Sequence, residues 1–413
     1  MKVTLLTLGC KVNQSESNRI ESDLLSTGHE IVSLKEKPDI CIVNTCTVTS
    51  KSDYQSRQYI RRALKTGGRV VVTGCYSELN GHEIHAISSD VTVVPNSNKS
   101  DIINKIFQKN RVQVPFIGHG KSRHFVKIQD GCNKRCTYCA IQMARGRSVS
   151  IPVETIVEEI KLAHSSGINE IVLTGIHIGF YGNDLDREIS LDSLVAEILK
   201  STSIPRIRLS SLEVGEISER TIDLLSDQRL CDHLHIPLQS GNDQILRRMG
   251  RGYTQHEFNQ KIDKIIRKHP LIALGTDVIV GFPGEDNDAY RITLDFIQKS
   301  PFTYLHVFPY SKRKGTPASI YKEQVPSIEK DERVSQLNEI SDIKKASYAK
   351  QFVGHTLDMI IEKQNAVSTY SATTGNYLKA VVKSTSLKKG SLVFSRIEKA
   401  SKGLLYTNPI KLH

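Results

Sequence analysis

The stretch Asp130-Gly131-Cys132-Asn133-Lys134-Arg135-Cys136-Thr137-Tyr138-Cys139 carries three cysteines in the spacing CxxxCxxC, with no fourth cysteine nearby. Thiolates are the usual protein ligands of iron–sulfur clusters, and four of them close a 4Fe–4S cube. Three leave one iron without a protein ligand, open to another group. Structural zinc is the alternative, but such sites use four protein ligands, commonly as paired CxxC knuckles or CxxC with HxxxH. No second pair follows here. The run points to a cluster with an open iron.

Working outward from this loop, the chain reads as strand–helix units. Candidate strands lie at 125–129, 170–174, 206–210, 233–236, 275–280 and 304–308, with helical patterns between them. One such helix spans 152–166, where Pro152 suits a first turn. Six βα units are too few for a closed eight-stranded barrel and predict an open (βα)6 partial barrel. The cysteine loop follows its first strand, at a carboxyl end.

Before the loop, three short apolar runs each end at a cysteine. Residues 3–8 lead to Gly9-Cys10, 39–43 to Asn44-Thr45-Cys46, and 69–73 to Gly74-Cys75. Continuous apolar runs separated by helical patterns (13–26 and 51–64) read as buried parallel strands. The run 91–94 and a helix at 100–107 complete a doubly wound α/β domain. Ligands of such sheets sit outside the carboxyl ends of the strands, where Cys10, Cys46 and Cys75 all fall. This predicts a second three-cysteine cluster, with ordinary buried thiols as the alternative. Cys41, in mid-strand, and Cys231 fit that alternative. Disulfides are not expected, because no signal peptide precedes the first strand and cytosolic thiols stay reduced.

After the barrel units, 328–352 has apolar residues Val334, Leu337, Ile340 and Ile343 at every third position and reads as a connecting amphipathic helix. The pattern then changes to period two, with strands expected at 356–362, 377–382, 392–397 and 404–407, which suggests a small antiparallel β-barrel. Lys109 to Arg123 holds Pro115, Gly118 and Gly120 without a lasting period and reads as a linker. At 413 residues the chain has room for two or three domains. No apolar run is long enough to span a membrane, so a soluble, cytoplasmic protein is expected. The net charge of +12 and pI near 9.2 favour polyanionic partners, chiefly nucleic acid. From Lys350 to His413, ten Lys/Arg stand against three Asp/Glu, a net of +7 in the tail alone.

Taken in order, these segments resemble the methylthiotransferases of the radical S-adenosylmethionine (SAM) superfamily over essentially the whole chain. Thr7-Leu8-Gly9-Cys10-Lys11-Val12-Asn13-Gln14 is close to the opening of one branch, which acts on N6-threonylcarbamoyladenosine beside the anticodon of tRNA. The isopentenyladenosine branch typically has Gln-Met-Asn after this cysteine, and the ribosomal-protein branch Pro-Lys-Asn. Further likeness lies in 43–49, 173–177, 208–213, 235–241, 277–285 and 306–311. Departures are Gln142 where a proline is usual, Ser148-Val149-Ser150 in place of a more basic run, and Thr374-Gly375-Asn376-Tyr377 without an acidic residue.

The resemblance implies an N-terminal cluster domain at 1–110, a radical SAM partial barrel at 118–345 and a TRAM-type RNA-binding domain at 350–413. It implies two 4Fe–4S clusters. Cys132, Cys136 and Cys139 would hold the one that binds and reductively splits SAM, and Cys10, Cys46 and Cys75 an auxiliary one that carries sulfur. SAM contacts are expected at Gly175, Ser211, Glu213, Gln239 and Gly281. Ser211 and Glu213 have a strand-end cap as their alternative role. Arg145 and Arg147 either pair with phosphate or lie on the surface, and His177 reads as a packed histidine. The partners implied are tRNA and an electron donor such as a flavodoxin or ferredoxin. Isopentenyladenosine in tRNA and a ribosomal-protein aspartate remain alternative targets, and an RNA-binding protein with two structural zincs is the non-catalytic alternative.

Overall fold

The computed structural model describes residues 1–107, 121–185 and 188–407. Most of the expected linker falls at 108–120, outside the described residues.

The first body is a parallel sheet of β1 (Lys2–Thr7), β2 (Glu30–Ile31), β3 (Ile40–Thr45), β4 (Arg69–Gly74) and β5 (Thr92–Val93), in the order β2-β1-β3-β4-β5. Every residue of β3 is buried, as befits a central strand covered on both faces. Helices α1 (Lys11–Ser26), α2 (Ser50–Leu64) and α3 (Cys75–Leu79) leave from the carboxyl ends of β1, β3 and β4. The strand order reverses between β1 and β3, which is the switch point where doubly wound sheets open a crevice. The two-residue β2 was not anticipated, being too short to show a period.

The second body holds the six expected parallel strands. They are β6 (His124–Lys127) and, after a small ladder of β7 (Gln129–Asp130) with β8 (Val149–Ser150), β9 (Glu170–Thr174), β10 (Arg206–Leu209), β11 (His233–His235), β12 (Ala273–Val280) and β13 (Tyr304–Pro309). They form two three-stranded sheets, β10-β9-β6 and β11-β12-β13. Backbone bonds from Cys231 N to Ile207 O (2.9 Å) and from Leu212 N to His235 O (2.9 Å) join the two into one incomplete wall. A continuous core runs behind it from Val126 through Ile171, Ile207 and Leu234 to Leu305. Helix α1 packs along β6, so the first body lies against the free edge of this partial barrel. Pro152 stands at the N-cap of helix Val153–Ser165, just outside its first turn.

A long helix, Ser327–Lys350, packs on β13. Its buried positions Arg333, Leu337 and Ser341 step by four. A three-residue apolar spacing drifts off such a face, so Ile343 is 69% exposed, contrary to its expected place. The third body is a closed barrel of β14 (Thr356–Ala366), β15 (Thr369–Thr374), β16 (Lys379–Lys383), β17 (Leu392–Ser401) and β18 (Leu404–Thr407), in the order β14-β15-β16-β18-β17. Two expectations are corrected here. Strand β15, Thr-Tyr-Ser-Ala-Thr-Thr, was missed because small polar residues hide its inward alternation of Tyr370, Ala372 and Thr374. The barrel is also not wholly antiparallel: β16 and β18 pair in parallel because β17 intervenes between them in the chain. No helix among the described residues is long and apolar enough to cross a membrane.

Candidate active site: two cysteine trios on one cavity

Cys10 is the N-cap of α1, Cys46 follows β3 directly, and Cys75 opens α3. Asn13 knits the first two loops together, donating to Leu8 O (2.7 Å) and Thr45 O (2.9 Å). Gly9 (φ +101°) has no room for a side chain: a Cβ there would sit 2.9 Å from Cys46 Sγ. Gly74 (φ +102°) meets the same limit, at 2.3 Å from Thr45 O. Both glycines let neighbouring loops close on one point. The three thiols lie near enough for their charges to interact.

The second trio hangs from the carboxyl end of β7. Buried Gln129 holds this loop, donating to Asp130 O, Gly131 O and Ser148 Oγ at 2.7–2.8 Å while its Oε1 accepts from His177 N at 2.8 Å. Cys132 N donates to Gly146 O (3.1 Å) and Cys139 N to Cys136 O (3.1 Å). His177 Nδ1 lies 3.4 Å from Cys132 Sγ, and its Nε2 meets Glu216 at 2.6 Å. Arg251 Nη1 lies 3.5 Å from Cys136 Sγ, and the same guanidinium is bound to Glu213. Gln129, His177 and Arg251 therefore touch or hold the cysteine loop. Sequence reasoning left His177 as a packed residue and did not single out the other two.

Arg145 requires the plainest correction. It is neither a phosphate ligand nor a surface residue: its side chain is fully buried. Its Nε reaches Cys75 Sγ at 3.2 Å, while its terminal nitrogens reach Glu16 (2.9 Å), Asp130 (2.8 Å) and Asn13. One guanidinium thus ties the first trio to the loop that bears the second. Lys99 (2.6 Å) and Lys127 (3.2 Å) share the Glu16 carboxylate. Burial opposes ionisation of Glu16, but Lys99, Arg145 and Lys127 outweigh it and hold the carboxyl well below its ordinary range.

Burial pushes the Cys46 thiol up to about 11 and Cys139 to about 12, and raises Cys75 too. Such thiols ionise only when a cationic metal core offsets the cost. Among the described residues, the group of Cys, His, Asp and Glu side chains whose donor atoms all lie within 4.8 Å is His235, Asp277 and His306. Each trio offers thiolates alone, the donor set that iron–sulfur clusters use.

A cavity of about 1110 Å³ is walled by all three bodies, taking in Cys10, Cys46, Gly175, Ser211, His233, Asp277 and Tyr377. A smaller one, about 230 Å³, shares its Val48, Thr49, Asp277 and Phe308 wall and reaches Cys139 and Gln239. Gly175 and Ser211 therefore line the large cavity and Gln239 the small one. Gln239 sits at φ +69° with its Oε1 buried and without a partner among the described residues, a strained placement of the kind that marks functional positions. Glu213 is engaged by Arg251. Gly281 (φ +69°) forms a turn in which its N–H donates to Glu285 at 2.7 Å, and neither cavity's wall includes it.

On the wall of the large cavity, Asp277 lies 3.0 Å from His235 Nε2 and 3.4 Å from His306 Nδ1. The Tyr304 hydroxyl lies between His233 Nε2 (2.8 Å) and His235 Nδ1 (3.1 Å). Burial, with Arg208 and Arg123 beside it, lowers the Lys11 ammonium to about 8.

The chain matches the radical SAM superfamily over residues 126–297 and the uncharacterized protein family UPF0004 over residues 2–95. The two matches fall on the two bodies that carry the cysteine trios. The threonylcarbamoyladenosine tRNA methylthiotransferase MtaB of Aquifex aeolicus (strain VF5) is 35% identical, over 89% of this chain and 95% of that protein. Its namesake from Bacillus subtilis (strain 168) is 36% identical, over 96% of this chain and 94% of that protein. Among solved structures, the radical S-adenosylmethionine methyltransferase TsrM of Kitasatospora setae shares the fold, with a TM-score of 0.57 at 15% identity over 77% of each chain. A radical SAM protein is the class that this fold defines. Within it, the chain belongs to the methylthiotransferase family.

Proposed function

We propose that this protein transfers a methylthio group to C2 of N6-threonylcarbamoyladenosine next to the anticodon of tRNA. The observation that carries the reading is the convergence of two separate three-cysteine sites, from two bodies, on one pair of adjoining cavities. A cluster closed by four cysteines would have no place for cargo. Two open ones suit a reaction that needs both SAM cleavage and a carried sulfur, and relatives named for this activity match nearly the whole chain.

On this reading Cys132, Cys136 and Cys139 hold the 4Fe–4S cluster that binds SAM, and Cys10, Cys46 and Cys75 hold the auxiliary 4Fe–4S cluster. When bound, these groups supply the one-electron cleavage of SAM and the sulfur, chemistry that acid–base groups cannot perform on an aromatic C–H bond. The chain's own residues do the positioning. Gln129 and the Gly131 turn orient the second trio, Arg145 locks it against the first, and the Glu213–Arg251 pair supports Cys136. Gly175, Ser211 and Gln239 offer SAM contacts from the cavity walls. Glu213 would act through Arg251, and Gly281 through the turn it makes with Glu285.

On this reading the chain divides into a cluster domain (1–110), a radical SAM partial barrel (118–345) and a TRAM-type RNA-binding domain (350–413). The substrate is tRNA, the electron donor a flavodoxin or ferredoxin, and the setting the cytoplasm. The test is mass spectrometry of nucleosides from bulk tRNA of cells with and without this protein. The 2-methylthio form of threonylcarbamoyladenosine should be present only with the protein and vanish in a Cys136→Ala strain. A 2-methylthio isopentenyladenosine signal would keep the chemistry and overturn the substrate.

A further inference from the structure

Resting on that reading, we propose that Lys11 seats the carboxylate of the threonylcarbamoyl group and so selects the modified base. The group carries one permanent negative charge, on its threonine carboxylate, and an isopentenyl group carries none. The cavity should therefore hold one cation free to meet it. Lys11 lines the cavity beside Cys10 and makes no ion pair or hydrogen bond among the described residues. Among the described residues the carboxylate that acts on it is Glu170, which is already engaged by Arg206 (2.8 Å), Arg208 (2.9 Å) and Arg123 (3.8 Å).

Arg208 adds positive field but cannot turn to a ligand. Its Nε is held by Glu170 and its terminal nitrogens donate to the carbonyls of Gly375 (2.9 Å) and Thr374 (3.0 Å). An ammonium without a counter-charge, beside a guanidinium each of whose nitrogens is already held, is a seat for an anion. The other lysines on the cavity differ in setting. Lys330, half-buried, lays its stem over Gly281 on the side of the long helix, whereas Lys11 alone adjoins a trio cysteine. Lys51 and Lys312 are exposed and suit the RNA backbone at the rim, where contacts position without selecting. The C-terminal barrel completes the wall, with the Tyr377 ring 4.5 Å from His233 and 5.6 Å from Tyr304.

The test compares three anticodon stem-loop RNAs in equilibrium binding to the full, cluster-loaded chain. One bears threonylcarbamoyladenosine, one the same base with its carboxylate as a methyl ester, and one plain adenosine. Wild type should bind the acid roughly 30-fold or more tighter than the ester, the scale of losing one partner of a buried charge pair. Lys11→Met should bind acid and ester alike, at the wild-type affinity for the ester, and Lys11→Arg should restore part of the preference. Iron content measured on each variant separates loss of the cluster from loss of the contact. A wild type that does not distinguish acid from ester overturns the proposal without needing any variant, and so does a Lys11→Met protein that keeps the preference. Methylthiolation of the acid by wild type is scored separately, so a wrong substrate is not mistaken for a wrong seat.

Discussion

Arg145 concentrates in one side chain what holds the two cysteine sites together. Its partners Asn13, Glu16 and Cys75 lie 132, 129 and 70 residues away in the chain, which is why a sequence reading could place it only near the cysteine loop. The placement of Cys10, Cys46 and Cys75 just past strand ends was legible because strand ends are local patterns. Replacing Arg145 by Met removes the guanidinium that bridges Glu16 and Asp130 and leaves Lys99 and Lys127 to balance them. It should lower stability by about 1–3 kcal/mol, seen as a fall in Tm of the metal-free protein. The Glu16 carboxyl is held below its ordinary value in the folded chain, so its stabilisation is fully present above about pH 4.3 and is lost as pH falls through the lower folded value. Acid unfolding of Glu16→Gln should lack this contribution, so its stability should vary less with pH across that window than wild type's. For the cysteines, Cys46→Ala and Cys136→Ala should each leave about four iron per chain where wild type holds about eight. A variant that keeps the full iron would remove its cysteine from the ligand set.

At the scale of elements, the sequence shows the strands that carry apolar runs and misses those that do not. All six strands of the partial barrel were visible, because apolar residues mark each of them, as in Ile171-Val172-Leu173 of β9 and Val278-Ile279-Val280 of β12. Strand β15 was not, and with it went one of the contacts that dock the small barrel on the larger one. That contact is Arg208, a fully buried arginine on β10 reaching the carbonyls of Thr374 and Gly375, beside Arg206 on Asp358 (3.2 Å) and Arg123 on Glu362 (2.7 Å). Its pattern in the sequence, Arg-Ile-Arg-Leu, says nothing of a partner more than 160 residues away. Arg208→Gln removes those donors and leaves buried carbonyls unmet, at a cost of about 1–3 kcal/mol. Hydrogen exchange should then quicken at 369–379 while the first body's sheet keeps its protection. Unchanged exchange there would show that the barrel is docked by other contacts.

At the scale of the molecule, three bodies that were each readable alone produce a cavity that none contains. Cys10 and Lys11 come from the first, Ser211 and Asp277 from the second, and Tyr377 from the third. The excess of positive charge, +12 overall, supplies attraction for tRNA without choosing a base, so the choice falls to the cavity. The central claim is that this cavity joins two cysteine-held clusters for methylthiolation of threonylcarbamoyladenosine. The most direct measurement offers the purified, anaerobically reconstituted protein two anticodon stem-loops together, one bearing threonylcarbamoyladenosine and one isopentenyladenosine, with SAM, a sulfide source and a chemical reductant. Mass spectrometry of the nucleosides should show the methylthio product on the threonylcarbamoyl base alone, lost in both Cys46→Ala and Cys136→Ala. A product on the isopentenyl base, or one that survives loss of either cysteine, would contradict the account.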